Sequence, residues 1–222
     1  MLLSLLRGGN ITQAIIGVCV SAFVVLCILP LHELAHAFVA DKLGDDTARR
    51  MGRLTLDPFS HIDWMGALMI LLVGFGYAKP VPVNAARTKM KNKKAAMAII
   101  AIAGPISNLL VALISVFIYT FISTRFTADN TLAYAIFIFF NFCALINVNL
   151  AVFNLIPIPP LDGSRILTAF LPTKAYIKLL QYEKYITIAI FALLLFGALS
   201  TPLSVLSGWV LDGFEAIAKL IF

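Results

Sequence analysis

Four apolar runs govern what this chain can fold into: Ile11–Ala40, Ala95–Ser123, Leu132–Ile156 and Tyr185–Leu199. Each approaches or exceeds the roughly 20 residues that a helix needs to cross the hydrocarbon of a bilayer, the last by running on past Pro202. Only 13% of the 222 residues are charged and 61% are hydrophobic. A soluble domain carries about 25% charged residues, so lipid must solvate much of this surface. The net charge of +6 sits in the connections between the runs. Basic residues placed there set membrane orientation, and no nucleic-acid partner is expected. Cys19, Cys27 and Cys143 lie inside apolar stretches and form no CxxC pair, which suits small buried hydrophobes. Arg7 ahead of Ile11–Leu31 has a faint signal-peptide look. The run is too long for such a peptide and leads straight into His32, which makes it a retained span.

A fifth apolar run, Trp64–Ala78, has 15 residues broken by Gly66, Gly74 and Gly76 and ends in Lys79-Pro80-Val81-Pro82-Val83-Asn84. Its length and breakers predict a re-entrant segment. Arg53–Asp57 alternates polar and apolar residues before Pro58, which predicts a short strand, and Tyr77–Val83 predicts a second extended piece. An extended partner could add to either edge. The expected architecture is an α-helical integral membrane protein with about four transmembrane helices. A re-entrant, partly β-structured segment separates the first two. One domain fills residues 1–222, with a core over about 11–167 and one or more C-terminal helices over about 175–222. Pro202, Gly208 and Gly213 argue against a regular helix over 202–222.

His32-Glu33-Leu34-Ala35-His36 closes the first run. Residues four apart share one helix face, so both imidazoles can reach one Zn2+ ion. Glu33 is then placed as general base for an attacking water. Two histidines and a carboxylate beside a span are costly there, and their default reading is functional. Catalytic zinc takes three protein ligands. The third is His61, the one other histidine, or a carboxylate, with Asp162 the stronger candidate. A plain Asp-Gly turn would also account for Asp162-Gly163.

Topology helps to decide. Were Trp64–Ala78 to cross the bilayer, the basic residues would divide 11 to 6 between the two sides, and Asp162 would lie opposite the loop after His36. With that segment re-entrant, the loops 41–94 and 157–184 share a side holding 14 of the 17 Lys and Arg residues. The other side keeps Arg7, Arg125 and Lys219. Such asymmetry marks the cytoplasmic face. Helix rise then puts His36 about 8 Å and His32 about 14 Å inside the polar boundary at Asp41. Asn141, Asn147 and Asn149 suit interhelical hydrogen bonds. Asn154, eight residues before Asp162, could donate to a developing oxyanion.

Five pieces together resemble the site-2 proteases, a family of intramembrane zinc metalloproteases. They are LHELAHA at 31–37, GRLTLDPFSHID at 52–63, YAKPVPVN at 77–84, AGPISNLL at 103–110 and NLIPIPPLDGSRIL at 154–167. The resemblance implies that His32, His36 and Asp162 bind one zinc ion and that Glu33 activates water. It implies that Asn154, and more weakly Asn108, contact substrate or oxyanion. It implies transmembrane protein substrates and a multi-pass protein in the plasma (inner) membrane of a prokaryote. A compact form is expected, without a PDZ module, a nucleotide-sensing domain or a span ahead of the HExxH helix. Two other functions share parts of the pattern. One is a membrane zinc hydrolase of a lipid or small amide; the other is a metal or ion transporter, which has no use for Glu33 beside His32.

Overall fold

The computed structural model describes residues 18–73, 78–126 and 130–222. The start of the first predicted span, and Gly74, Gly76 and Tyr77 of the fifth run, lie outside them. The chain divides into two compact units, Met1–Ala96 and Met97–Phe222.

In the first unit, helix α1 covers Val18–Lys42. A π turn at Val24–Ile28 interrupts its α geometry just before Pro30. Proline lacks the N–H that would bond the carbonyl four residues back, and a wider turn absorbs that mismatch. A one-turn helix α2, Thr47–Arg50, follows. Helix α3, Trp64–Val73, comes after a loop containing a 3-10 turn at Pro58–Ser60. The core of this unit is Ala37 on α1, Ala48 on α2 and Val81, with Leu54 and Val83 packed against it.

Here one expectation is corrected. No strand forms among the described residues. Residues 53–57 are loop, and 78–83 run extended without a ladder. Pro80 and Pro82 remove alternate N–H donors from the second piece, leaving it unable to pair along an edge. In the first piece the alternation arises because Arg53 turns inward, only 7% exposed, and its guanidinium donates to the Ser60 carbonyl. Helix α3 has 10 residues.

The second unit is built on helix α4, Lys93–Arg125, and helix α5, Thr131–Asn154. Asn130 caps α5 by accepting from the Ala133 N–H. Four further helices follow: α6 (Asp162–Thr168), α7 (Thr173–Gln181), α8 (Glu183–Leu195) and α9 (Ser200–Lys219). Val116 and Tyr119 of α4, Ala144 of α5 and Ala218 of α9 form its core. Tyr119 donates its hydroxyl to Glu215 Oε1 at 2.8 Å, tying α9 to α4.

Three helices, α1, α4 and α5, are each long and apolar enough to span a membrane, so this is a multi-pass membrane protein. The predicted fourth span is instead a pair. Helices α8 and α9 meet that standard only together, and they are bent by 83° at the break between them. The irregularity expected over 202–222 is also corrected, because α9 runs unbroken for 20 residues. Pro202 falls in its first turn, where N–H groups have no intrahelical partner to lose. Gly208 and Gly213 face open space.

Candidate metal centre

The HExxH residues lie in the second half of α1, where one α-helical turn separates the two histidines. Both imidazoles are buried, and their Nε2 atoms lie 3.1 Å apart with the rings edge to face at 83°. Two nitrogens each 2.0–2.1 Å from one tetrahedral zinc would stand about 3.3 Å apart. The pair therefore fits zinc within a few tenths of an ångström, with imidazole nitrogens of the type that ion takes.

Glu33 is half-buried, and its Oε2 accepts the Val81 backbone N–H at 2.9 Å. Val81 belongs to the extended strap 78–84, which is pinned at two further points. Its Lys79 N–H donates to the His61 carbonyl at 2.9 Å, and its Asn84 N–H donates to Asp45 Oδ2 at 2.6 Å. Asp45 is fully buried and also accepts the Thr47 N–H and hydroxyl. A buried carboxylate is tolerated when several donors satisfy it. The first unit thus brings His32, His36 and Glu33 together against a strap held in place from the side.

His61 is not at this cluster's service. It is 1% exposed, and its Nε2 lies 2.9 Å from the Thr55 carbonyl, which makes that nitrogen the donor. His61 therefore acts in packing the loop.

The remaining candidates belong to the second unit. Asn154 is the last residue of α5 and half-buried. Asp162 is the first residue of α6 and half-buried. Asp162-Gly163 therefore opens a helix rather than forming a tight turn. Gly163 is required there by close approach: a Cβ would sit 2.3 Å from the Leu155 carbonyl oxygen and 2.5 Å from that of Ile156. Sequence reasoning gave Gly163 only a turn role, since the approach arises from the chain folding back after α5. Asn108 lies within α4, 1% exposed, and neither of its amide atoms has a hydrogen-bond partner among the described residues. Leaving such groups bare costs about 1–3 kcal/mol each.

The model of peptidase family M50 matches residues 20–136 and 121–197. The chain belongs to that family. This is the site-2 protease family that the motifs resemble, and membership makes the protein a zinc-dependent metallopeptidase. Among curated relatives, it is 40% identical over 194 residues to the "Putative zinc metalloprotease YwhC" of Bacillus subtilis strain 168, covering 86% of this chain and 85% of that one. It is 30% identical over 202 residues to the "Putative zinc metalloprotease Rip2" of Mycolicibacterium smegmatis, covering 88% of this chain and 74% of that protein. The Rip2 of Mycobacterium tuberculosis strain H37Rv is 33% identical over 141 residues, 62% of this chain and 52% of the relative. No solved structure matches.

Proposed function

We propose that the protein hydrolyses peptide bonds of transmembrane proteins within or beside the bilayer, at one zinc ion held by His32, His36 and Asp162. The observation that carries this reading is the convergence of the two Nε2 atoms at 3.1 Å beside Glu33. Zinc, when bound, supplies a Lewis acid for the scissile carbonyl and brings the pKa of its water toward neutrality. Glu33 does the proton work. With Oε2 committed to the Val81 N–H, its other oxygen takes a proton from the attacking water and returns it to the leaving nitrogen. Asp162 would add an anionic third ligand beside the two imidazoles. Asn154 donates to the oxyanion, and Asn108 binds the substrate backbone; a buried amide with both atoms unclaimed in a span suits that role.

The two units work as one protease domain, with α3 as part of a re-entrant segment beside His32 and His36 and the whole in the plasma membrane of a prokaryote. The site opens toward the cytoplasm. The division of 14 basic residues against three supports that side.

Metal analysis of the purified protein beside Asp162→Ala and Glu33→Gln tests the reading. Wild type should hold one zinc per chain, Asp162→Ala should lose it, and Glu33→Gln should keep it while losing cleavage of a candidate membrane substrate. Activity retained in Glu33→Gln would favour ion transport. Cleavage of lipid or small amides alone would favour the other hydrolase reading.

A further inference from the structure

The loop joining α2 to α3 is turned inside out. Met51, Leu56, Phe59, Trp64 and Met65 are each 60–75% exposed. Two of the polar side chains between them, Arg53 and His61, face inward, and others bond within the loop. Arg53 is buried and donates to the Ser60 carbonyl, and His61 is buried against the Thr55 carbonyl. Asp57 accepts the Phe59 N–H and the Ser60 hydroxyl, and Asp63 accepts the Gly66 N–H. A connection bathed in water shows the reverse arrangement, and a run of large exposed apolar side chains marks a contact surface.

We propose that residues 51–65 form a lipid anchor seated at the headgroup–acyl boundary, and that it fixes the depth of the HExxH helix in the bilayer. Three observations choose lipid as the occupant. Trp64 and Met65 open α3, whose Leu68 and Leu72 continue the outward apolar surface, so the loop extends a lipid-facing element. Tryptophan is the residue type that settles at this boundary. Lys79, Lys89 and Lys91 are exposed in the same unit and suit anionic headgroups.

The loop is also mechanically joined to the catalytic helix. Leu54 packs against the cluster that Ala37, Ala48 and Val81 form. Ala37 follows His36 directly, and Val81 holds Glu33. Inserting the loop to a given depth therefore places the site at a given depth. If the protein cuts transmembrane substrates, as proposed above, this sets where along the substrate the cut falls.

Trp64 reports on the anchor directly, because Trp209 is the one other tryptophan. The full chain carrying Trp209→Phe is reconstituted in phosphatidylethanolamine–phosphatidylglycerol vesicles. Its emission is then measured with lipids brominated in the upper acyl chain and with aqueous iodide. The expected result is that brominated lipid removes about half or more of the emission while iodide removes little. Adding Phe59→Asp should reverse that preference. Quenching by iodide alone would overturn the proposal by placing the loop in water. Protection from both quenchers would also overturn it, since the loop would then be covered by protein. Neither metal nor cleavage enters the measurement, so its failure leaves the peptidase reading standing.

Discussion

Gly163→Ala puts the metal site under strain without touching a proposed ligand. The new Cβ would lie 2.3 Å from the Leu155 oxygen, 2.5 Å from the Leu155 carbon and 2.5 Å from the Ile156 oxygen, all of them backbone atoms. Ordinary contact begins near 3.4 Å, so the start of α6 and the end of α5 must separate by about 1 Å. Overpacking of this kind costs roughly 1–3 kcal/mol. Asp162 is the adjacent residue and moves with the helix start, whereas metal ligation tolerates about 0.2 Å. If Asp162 is the third ligand, zinc affinity should fall by about tenfold to a hundredfold, the loss that disturbing the contacts orienting a ligand typically brings. The assay is zinc content by mass spectrometry against a graded competing chelator, with helicity and thermal midpoint followed in parallel. Gly208→Ala is the control. Its Cβ meets nothing within 4 Å, and the change to alanine inside α9 should leave zinc untouched and stability equal or higher. A folded Gly163→Ala protein that holds zinc as tightly as wild type would refute the assignment of Asp162.

Replacing Asp45 by alanine should release the strap: the Asn84 and Thr47 N–H groups lose their acceptor, at about 1–3 kcal/mol each. Hydrogen exchange over residues 78–88 should accelerate, and unchanged protection would contradict this. Tyr119→Phe removes a hydroxyl bonded to the Glu215 carboxylate. A bond to a charged group contributes about 1.5–3 kcal/mol, so the thermal midpoint should drop by several degrees with zinc content unaltered. The Arg50 guanidinium bonded to Asp46 holds that carboxyl below its ordinary value. A depressed pKa means that the pairing of Asp46 with Arg50 and Arg87 is complete above about pH 4 and lost only as pH falls through the lowered value. Arg50→Gln should therefore change nothing between about pH 5 and 8 in circular dichroism and shift only the acid limb.

The spans were legible because lipid demands apolar side chains all round a helix, a signal that needs no tertiary knowledge. Thus α4 and α5 appear within two residues of their expected ends. The histidine pair was equally legible, since the four-residue spacing is local to α1. What failed depended on how the chain folds back on itself over several residues. Alternation over 53–57 looked like a strand, yet it records a loop whose arginine is drawn inward by the Ser60 carbonyl. Pro202 looked like a breaker, though the bend between α8 and α9 places it in a first turn. Gly163 looked like a turn residue because the carbonyls that exclude a side chain come from the end of the preceding helix.

The strap shows why irregular backbone can serve at such a site. Away from water, each N–H of a non-helical segment needs an internal acceptor. In 78–84, two positions are prolines and have none to satisfy, and Lys79, Val81 and Asn84 donate to His61, Glu33 and Asp45. The two carboxylates on that roster differ in exposure and in work. Asp45 is fully buried and takes three donors, so it holds the strap and little else. Glu33 is half-buried and takes one N–H from the strap, which leaves an oxygen for proton transfer. Had Pro80 and Pro82 been ordinary residues, their N–H groups would offer the strap other partners and other registers. Their absence leaves few competing arrangements, so the orientation of Glu33 is set by backbone that has little else to bond.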